Sequence, residues 1–325
     1  MESTIRGGAD RGRSQWHQES CPPYRSGFRV GGVSVGVAGA REQDVFIGPQ
    51  LQPFHLAAAS YDIGIRIEWT DDLPKMPGRK LFDSGAAWRL YDGEGELQFD
   101  FGHPSPGEPP HKRLFVDRNF CRGTLQMSEE FFAHIPVIPD PLEYPLDELL
   151  IMHRLTQEHA IELHGVGIVG PNGVNNLFVG HSGAGKSTTA RLWTSLHKVE
   201  ILSDDRIIVR ESEDKRNPEN FCKPSTQIFM YGTPWHGEAH FALPQRAPLD
   251  RICILEHGQG NVLTRLTRSQ AVAELFARAF VPFHRHEYVD SALSFLERLA
   301  GTIPCYRYSF EPDERAVERI LNFRD

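Results

Sequence analysis

Residues 180–187 read Gly180-His181-Ser182-Gly183-Ala184-Gly185-Lys186-Ser187, a complete G-x-x-x-x-G-K-[ST] loop. A short apolar run, Leu177-Phe178-Val179, precedes this loop, and a segment with helical character, residues 187–193, follows it. In this strand–loop–helix setting the motif forms a phosphate-binding loop (P-loop). The glycines let successive backbone N–H groups point at phosphate oxygens, and the following helix adds its unpaired N-terminal donors. The stretch therefore predicts an α/β fold built around a phosphate site.

The positions of the loop have distinct expected roles in binding a nucleotide. We expect Lys186 to reach the β- and γ-phosphates and the Ser187 hydroxyl to ligate a magnesium ion. Backbone amides and small side chains supply the other contacts. We therefore assign nucleotide binding to Gly180, His181, Ser182, Gly183, Ala184, Gly185, Lys186, Ser187 and Thr188.

Size and composition limit the class of protein. The chain has 325 residues, of which 40% are hydrophobic and 24% charged, as is usual for soluble globular proteins. The net charge of −8 argues against a nucleic-acid or membrane-surface binder, which needs a basic face. The sequence contains neither a run of 18 apolar residues nor an apolar secretory signal. Five scattered cysteines without a C-x-x-C pair favour reduced thiols, so we expect a cytoplasmic protein.

The chain divides by composition into three regions. Residues 1–27 are polar and arginine-rich, which predicts a flexible leader, although a true start further along the chain is equally open. Residues 28–140 are predicted to be a β-rich N-terminal region, because Ile63–Trp69 alternates apolar and polar residues and two apolar runs flank Asp92-Gly93-Glu94-Gly95. No chemical motif occurs in this region, and we expect it to pack on the remainder or present a substrate to it. Several prolines mark the boundary to the third region, residues 141–325.

The third region shows alternating helical and strand signals. Helices are predicted over residues 146–155, over the segment from the P-loop to about 196, and over 270–276 with Ser269 as the cap. Two more are expected near 288–299 and 314–323. Strands are predicted at 161–169, 177–179, 201–205, 252–255 and 305–308.

A pair of carboxylates, Asp204-Asp205, follows the predicted strand after the P-loop helix. In P-loop proteins a neighbouring strand brings such carboxylates to the γ-phosphate and its magnesium ion. We expect Asp204 to hold the metal, directly or through water, and Asp205 to accept the proton of an incoming hydroxyl. The alternative is a pair of solvated turn aspartates. A histidine, His164, lies on the strand just before the P-loop strand, where it is either near the phosphates or a structural residue with a satisfied hydrogen bond.

In order and spacing, these segments resemble the core of the HPr kinase/phosphorylase family and, more broadly, the phosphoenolpyruvate carboxykinase-like P-loop fold. The matching text is His164-Gly165-Val166, Asn172-Gly173, the P-loop and Asp204-Asp205-Arg206. The similarity covers about 45 residues well and the following hundred loosely, and it does not extend to residues 1–140. It implies that Asp205 is the catalytic base, with His164 and Lys186 as catalytic partners and Ser187 as the metal-binding hydroxyl.

The resemblance also implies a catalytic arginine, which Arg265 in Leu263-Thr264-Arg265-Leu266 matches weakly; an exposed strand arginine is the alternative. The chain departs from the family at two places. It lacks the family's metal-binding glutamate at the usual position, and Glu238, which might replace it, is displaced along the sequence. It also has Thr188 where the family usually has an acidic residue. These departures make HPr an unexpected acceptor and reverse phosphorylase activity an unexpected reaction.

A compact stretch, Gly232-Thr233-Pro234-Trp235-His236-Gly237, predicts a rigid loop. It fits either an acceptor-binding or lid role over the phosphates, or simple packing of Trp235 into the core. The histidines at 236 and 240, and those at 284 and 286, have spacings that weigh little as metal sites.

The function that the sequence predicts is an ATP- and magnesium-dependent kinase that transfers the γ-phosphate to a hydroxyl, with serine favoured. The acceptor is a peptide, a protein or a small molecule; neither a nucleic acid nor a membrane is expected as a partner, and a homo-oligomer stays open. Two alternatives belong to other classes: a nucleotide-binding regulator without catalysis, and a carboxykinase-type enzyme acting on a small carboxylic acid.

Overall fold

A computed structural model describes residues 22–73, 78–102, 108–213 and 226–324. The chain forms two compact units, neither of which is one continuous piece of sequence. Unit 1 comprises Met1–Arg29, Ser34–Gly48 and His55–Glu143, and unit 2 comprises Val30–Val33, Pro49–Phe54 and Tyr144–Asp325. Most of the leader expected over residues 1–27 lies outside the described residues, but the first strand begins at Tyr24, so the leader does not reach residue 27.

Unit 1 is built on an eight-stranded sheet. Its strands are β1 (Tyr24–Val30), β2 (Val33–Gly39), β3 (Ile63–Thr70), β4 (Arg79–Asp83), β5 (Trp88–Asp92), β6 (Glu96–Phe101), β7 (Lys112–Asp117) and β8 (Arg122–Ser128). They lie in the order β1-β2-β3-β8-β7-β6-β5-β4, with β3 parallel to both of its neighbours. A short helix, α1 (Glu129–Ala133), follows, and short 3-10 helices span Glu42–Val45 and Pro49–Phe54. The strand predicted over 63–69 and the hairpin around Asp92–Gly95 are confirmed.

Unit 2 is built on a ten-stranded sheet covered by helices. Its strands are β9 (Ala160–Val169), β10 (Asn176–Val179), β11 (Glu200–Ile201), β12 (Arg206–Glu213), β13 (Thr226–Tyr231), β14 (Arg246–Pro248), β15 (Arg251–His257), β16 (Val262–Arg265), β17 (Ala279–Phe280) and β18 (Cys305–Phe310). Its helices are α2 (Leu146–Leu155), α3 (Lys186–Leu196), α4 (Arg268–Phe276), α5 (His286–Thr302) and α6 (Glu314–Asn322). The main path runs β14-β13-β12-β9-β10-β15-β18-β16, and β10, β15 and β18 are parallel.

Residues that alternate along the central strands pack into two separate apolar cores. Leu177 and Val179 of β10 belong to one apolar cluster with Leu275 of α4 and Phe295 of α5. Phe178, between them in sequence, belongs to the other cluster, which contains residues of α3 and α6. Side chains alternate across a strand, so burial on both faces explains why this strand is continuously apolar. Mixed α/β architecture with large sheets is thus confirmed.

Strand β9 is central to unit 2 because each of its two edges pairs with two strands. Along one edge β12 pairs with residues 160–164 and β11 with 168–169. Along the other edge β10 pairs with 165–168 and β17 with 162–163. The edge therefore passes from β10 to β17 at His164, where the P-loop leaves the sheet.

Two local predictions are wrong in detail. The strand expected over 201–205 is only Glu200–Ile201, and the next strand begins at Arg206, so the aspartate pair lies in the connection between them. Helix α4 is capped by Thr267, whose side chain accepts a hydrogen bond from the Gln270 N–H, and Ser269 lies inside the helix.

Two features bear on the environment of the protein. Within the described residues, no helix is both long enough and apolar enough to cross a membrane. Cys121, Cys253 and Cys305 are thiols that form no disulfide among the described residues, and the latter two are buried.

Candidate active site

The P-loop connects β10 to α3, as the motif predicts. Its first residue, Gly180, donates its N–H to the carbonyl oxygen of His164 at 3.1 Å, which ties the loop to β9. Gly183 and Gly185 have φ angles of 79° and 98°, in the region that favours glycine. A Cβ atom on Gly185 would lie 2.5 Å from Cζ of Phe310, so only glycine fits there.

Lys186, the first residue of α3, closes the loop on itself. Its side chain is largely buried, with 6% of the residue exposed, and Nζ donates to the carbonyl oxygens of Gly180 and His181, each at 3.1 Å. Burial lowers the pKa of the Lys186 ammonium to about 8, although the carboxylate of Asp205 acts in the opposite direction. The ammonium is therefore held at the centre of the loop before any phosphate is present.

The remaining loop residues are accessible to a ligand. Ser187 is half-buried in the first turn of α3, and Thr188 beside it is exposed. Ala184 and Gly185 are half-buried, whereas His181, Ser182 and Gly183 are exposed. The structure thus keeps the nine predicted nucleotide-binding residues in one continuous turn.

A histidine that the sequence did not suggest supports the loop from the neighbouring strand. His257, at the end of β15, has Nε2 2.8 Å from the carbonyl oxygen of Gly183. A carbonyl oxygen can only accept, so Nε2 carries the proton. The His257 ring also stacks on Phe310, the side chain that lies against Gly185.

His164 and Asp205 form a hydrogen-bonded pair next to the loop. His164 Nε2 lies 2.8 Å from Asp205 Oδ1, and the backbones of the two strands pair at this level through Arg206 and His164. Burial alone would raise the pKa of the Asp205 carboxyl, but the hydrogen bond from His164 and the nearby charges of Arg206 and Lys186 outweigh burial, and the net pKa is lowered. Asp205 is therefore ionised at neutral pH and oriented by two neighbours.

Arg206 is engaged by carboxylates. Its Nη1 lies 3.1 Å from Asp205 Oδ2, and its Nε lies 2.9 Å from Glu148 Oε1 and 3.5 Å from Glu162 Oε1. The guanidinium also stacks 3.8 Å from the centre of the Phe280 ring. Burial and the neighbouring Glu148 raise the pKa of Glu162 well above its ordinary value. Arg206 thus serves to position Asp205.

The carboxylate of Asp204 is enclosed by the loop over residues 237–241. The residue has 0% exposure, and its carboxylate accepts hydrogen bonds from the N–H groups of Gly237 (3.0 Å), Ala239 (2.8 Å) and Phe241 (3.2 Å). The metal-binding role expected for Asp204 does not fit this arrangement, because both oxygens are enclosed by backbone donors. Asp204 instead organises residues 237–241.

The loop that Asp204 holds lies directly against Asp205. A Cβ atom on Gly237 would be 3.3 Å from the Cβ atom of Asp205. Trp235 is 7% exposed and donates its indole N–H to Asp147 at 2.9 Å, so it packs in the core and does not form an aromatic surface. His236, Glu238 and His240 are exposed on the same loop.

The arginine predicted for the phosphates, Arg265, lies away from the P-loop, whereas Arg278, which the sequence did not suggest, lies next to His164. Arg265 lies on β16, separated from β10 by β15 and β18, where it donates to the Tyr306 hydroxyl at 2.7 Å. Arg278, just before β17, accepts the His164 N–H with its carbonyl oxygen at 2.9 Å. Arg278 is thus brought next to His164 although it lies 92 residues after Lys186, a separation at which the sequence gives no signal.

The structure gives little support to a metal site made by protein ligands alone. No group of three or more His, Cys, Asp or Glu side chains suited to a metal ion occurs in the described part of the chain. His284 packs on the rings of His153 and Tyr288, and His286 is exposed. Magnesium is commonly bound by one or two protein oxygens plus substrate phosphates, and the half-buried Ser187 hydroxyl at the start of α3 fits that pattern.

Comparison with known proteins gives no relative from which a role for the site could be taken. No protein-family model and no curated protein matches the chain.

Proposed function

We propose that this chain is an ATP- and magnesium-dependent phosphotransferase that moves the γ-phosphate onto a hydroxyl group, with serine favoured. One observation carries the proposal: the His164–Asp205 pair, 2.8 Å apart, lies one strand from the P-loop through the hydrogen bond between His164 and Gly180. A phosphate-binding loop beside an oriented carboxylate is the combination that phosphoryl transfer to a hydroxyl needs.

The donor end is formed by the P-loop and α3. The amides from His181 to Ser187 and the buried ammonium of Lys186 bind the phosphates of ATP and neutralise charge that develops on their oxygens. Lys186 exchanges the carbonyl oxygens of Gly180 and His181 for phosphate oxygens when the nucleotide binds. A magnesium ion bound with ATP adds positive charge at the same oxygens, and Ser187 is the side chain that would hold it.

The transfer step uses Asp205 as the base. The acceptor hydroxyl oxygen forms a bond to the γ-phosphorus while the bond from that phosphorus to the β–γ bridging oxygen breaks, and ADP leaves with that electron pair. The hydroxyl proton passes to the Asp205 carboxylate. His164 donates its Nε2–H to Oδ1 of Asp205, and this hydrogen bond keeps the carboxylate in place.

The acceptor end lies on the Asp205 side of β9. The loop held by Asp204 lies against Asp205 at Gly237 and exposes His236 and His240, with ring centres 4.7 Å apart. This loop is anchored by buried groups, so it provides a fixed surface next to the base.

The same arrangement supports an HPr kinase-like core of the phosphoenolpyruvate carboxykinase-like fold. The residues that resemble that family, His164, the P-loop and Asp205, are neighbours across one strand, which is the juxtaposition that a shared mechanism requires. Location in the cytoplasm stays a prediction from composition.

Label transfer from γ-³²P-ATP with magnesium to a library of serine-, threonine- and tyrosine-containing peptides and hydroxyl compounds tests the proposal. We expect the protein to label a hydroxyl acceptor, and Asp205→Asn to lower the rate by about 10²- to 10⁴-fold while ATP still binds. Asp250→Asn is the matched control, because Asp250 accepts the Asn175 N–H away from the site and should transfer at the normal rate.

Full activity in Asp205→Asn would contradict the assigned base. ATP binding without transfer to any acceptor would favour the regulator, and transfer dependent on a carboxylic acid would favour the carboxykinase-type enzyme.

A further inference from the structure

Arg278 occupies the point where the sheet edge passes from β10 to β17. Its carbonyl oxygen accepts the N–H of His164, and the carbonyl oxygen of His164 accepts the N–H of Gly180. Neighbouring strands lie about 4.8 Å apart, so the backbone of Arg278 is within side-chain reach of the P-loop. On the opposite edge of β9, the same His164 contacts Asp205.

The Arg278 side chain is buried and only partly satisfied. The residue is 9% exposed, and Nη1 donates to the carbonyl oxygen of Glu274 at 2.7 Å and to its Oε2 at 2.6 Å. Nε is buried and has no hydrogen-bond acceptor among the described residues. A charged donor left buried without an acceptor is costly, and an anionic ligand removes that cost.

The electrostatic field of Arg278 reaches the loop. The Arg278 charge is the largest cause of the lowered pKa of His181, followed by burial, and it also contributes to the lowered pKa of Lys186. Arg206, a half-buried cation nearby, is already engaged by Asp205, Glu148 and Glu162, and Lys186 donates to two carbonyl oxygens of the loop. Arg278 therefore keeps an unused donor, Nε–H, that is available for a phosphate.

Glu274 fixes the direction of the guanidinium. It lies one helical turn before Arg278, near the end of α4, and its other oxygen bonds to Arg307 of β18 at 2.6 Å. Because Glu274 of α4 bonds to both Arg278 and Arg307 of β18, Arg278 cannot swing toward solvent without breaking this network.

We propose that Arg278 binds the γ-phosphoryl group of ATP during transfer, with its Nε–H as the donor and Glu274 as the positioning residue. The inference rests on the proposed phosphotransferase function. The γ-phosphate is favoured over the α- and β-phosphates because Arg278 neighbours His164, the residue that touches the base, whereas the loop amides and α3 bind the inner phosphates.

The test compares ATP and ADP binding in Arg278→Gln, with magnesium present. We expect the affinity for ATP to fall at least tenfold and that for ADP to change less than twofold, because only ATP carries the γ-phosphate. Phosphoryl transfer should fall by about 10³-fold, as for other arginines that contact the transferred group. Arg268→Gln is the control at the first residue of α4, since its exposed side chain donates to the Glu297 carbonyl oxygen and should change neither affinity.

Equal loss of ATP and ADP affinity, or no loss of either, would overturn the role of Arg278. Lys186→Ala separates this result from failure of the proposed function: it should weaken both nucleotides, and a protein whose ATP binding ignores Lys186 is not the proposed enzyme. If Arg278→Gln does not fold, the Nε–H resonance of Arg278 in the unaltered protein, assigned with Arg278→Lys, gives the answer. A shift with ATP and none with ADP supports the contact; equal responses contradict it.

Discussion

At the scale of single residues, the site depends on charges held where water cannot fully solvate them. Lys186 is the clearest case, because its ammonium is buried against two carbonyl oxygens of its own loop. Its pKa of about 8 lies below the ordinary value of 10.5. In the protein without a ligand, the charge on Lys186 is therefore lost as pH rises through about 8.

We expect ATP affinity to fall by up to tenfold per pH unit above about pH 8, because binding to the deprotonated lysine requires uptake of a proton. Titration of ATP into the protein between about pH 7.5 and 9.5 measures this slope. Lys186→Arg is the control, because a guanidinium stays charged over that range and should give a nearly flat profile. The same slope in both proteins would assign the pH dependence to another group.

The sequence was informative about residues whose role depends on local geometry. The P-loop glycines and Lys186 act through a continuous turn, and the motif predicts that turn. Asp204 and Asp205 show what the sequence could not predict. These adjacent residues have side chains with different partners, and those partners, Gly237 and His164, lie 33 or more residues away. A metal role for Asp204 was therefore a reasonable prediction from spacing, but the fold gives that carboxylate to backbone N–H groups.

At the scale of elements, the loop over residues 232–245 is organised by a carboxylate in place of secondary structure. Three of its N–H groups converge on Asp204, and Thr233 donates its hydroxyl to the Arg206 carbonyl oxygen at 2.8 Å. Charge-assisted hydrogen bonds are stronger than neutral ones, so one side chain can hold several residues in an irregular conformation.

Asp204→Ala should therefore loosen the loop and lower the free energy of unfolding by about 3 kcal/mol, because three partly buried donors lose their acceptor. Hydrogen exchange should accelerate at Gly237, Ala239 and Phe241. Affinity for magnesium-ATP should stay within about twofold, while transfer to an acceptor falls. A large loss of magnesium-dependent ATP binding would instead return Asp204 to the role of a metal ligand.

Strong periodic patterns of apolar residues predicted individual helices and strands well, but they could not predict which distant segments pair with each other. Helix α2 and strands β3 and β9 agree with the apolar periodicity of the sequence. The cap of α4 was predictable locally, since Thr267 and Gln270 have the spacing of a capping box, whereas the predicted cap Ser269 has Val272 at that position. β17, with two residues, has no pattern of its own, yet it places Arg278 beside His164.

At the scale of the whole molecule, the boundaries of the two units do not follow the order of the sequence. The segments Val30–Val33 and Pro49–Phe54 belong to unit 2, although they precede most of unit 1 in the chain. Within unit 2, the Gly31 carbonyl oxygen accepts from Arg210 at 3.0 Å, and Gly31 lies against the buried Ile208. Composition could not predict this, because the contacts join residues about 180 positions apart.

A fragment of residues 144–325 should consequently be a weakened form of unit 2. We expect faster hydrogen exchange along β12 than in the full chain, because Ile208 loses its cover and Arg210 loses an acceptor. Amides of β18, which lie away from Gly31 in the sheet order, serve as the internal control and should exchange at similar rates. Unchanged protection along β12 would show that the early segments add nothing to its stability.

One edge of β9 pairs first with β10 and then with β17, and this arrangement also determines when the site can form during translation. His164 and the P-loop emerge from the ribosome early, but β10 pairs with β15, and the neighbour of His164 at Arg278 arrives nearly a hundred residues after the loop. A nascent chain that stops before Arg278 has the nucleotide motif but lacks both β17 and this arginine. On the proposed function, the protein therefore becomes able to bind both ends of the triphosphate late in translation, after almost all of the motif-bearing sequence has left the exit tunnel.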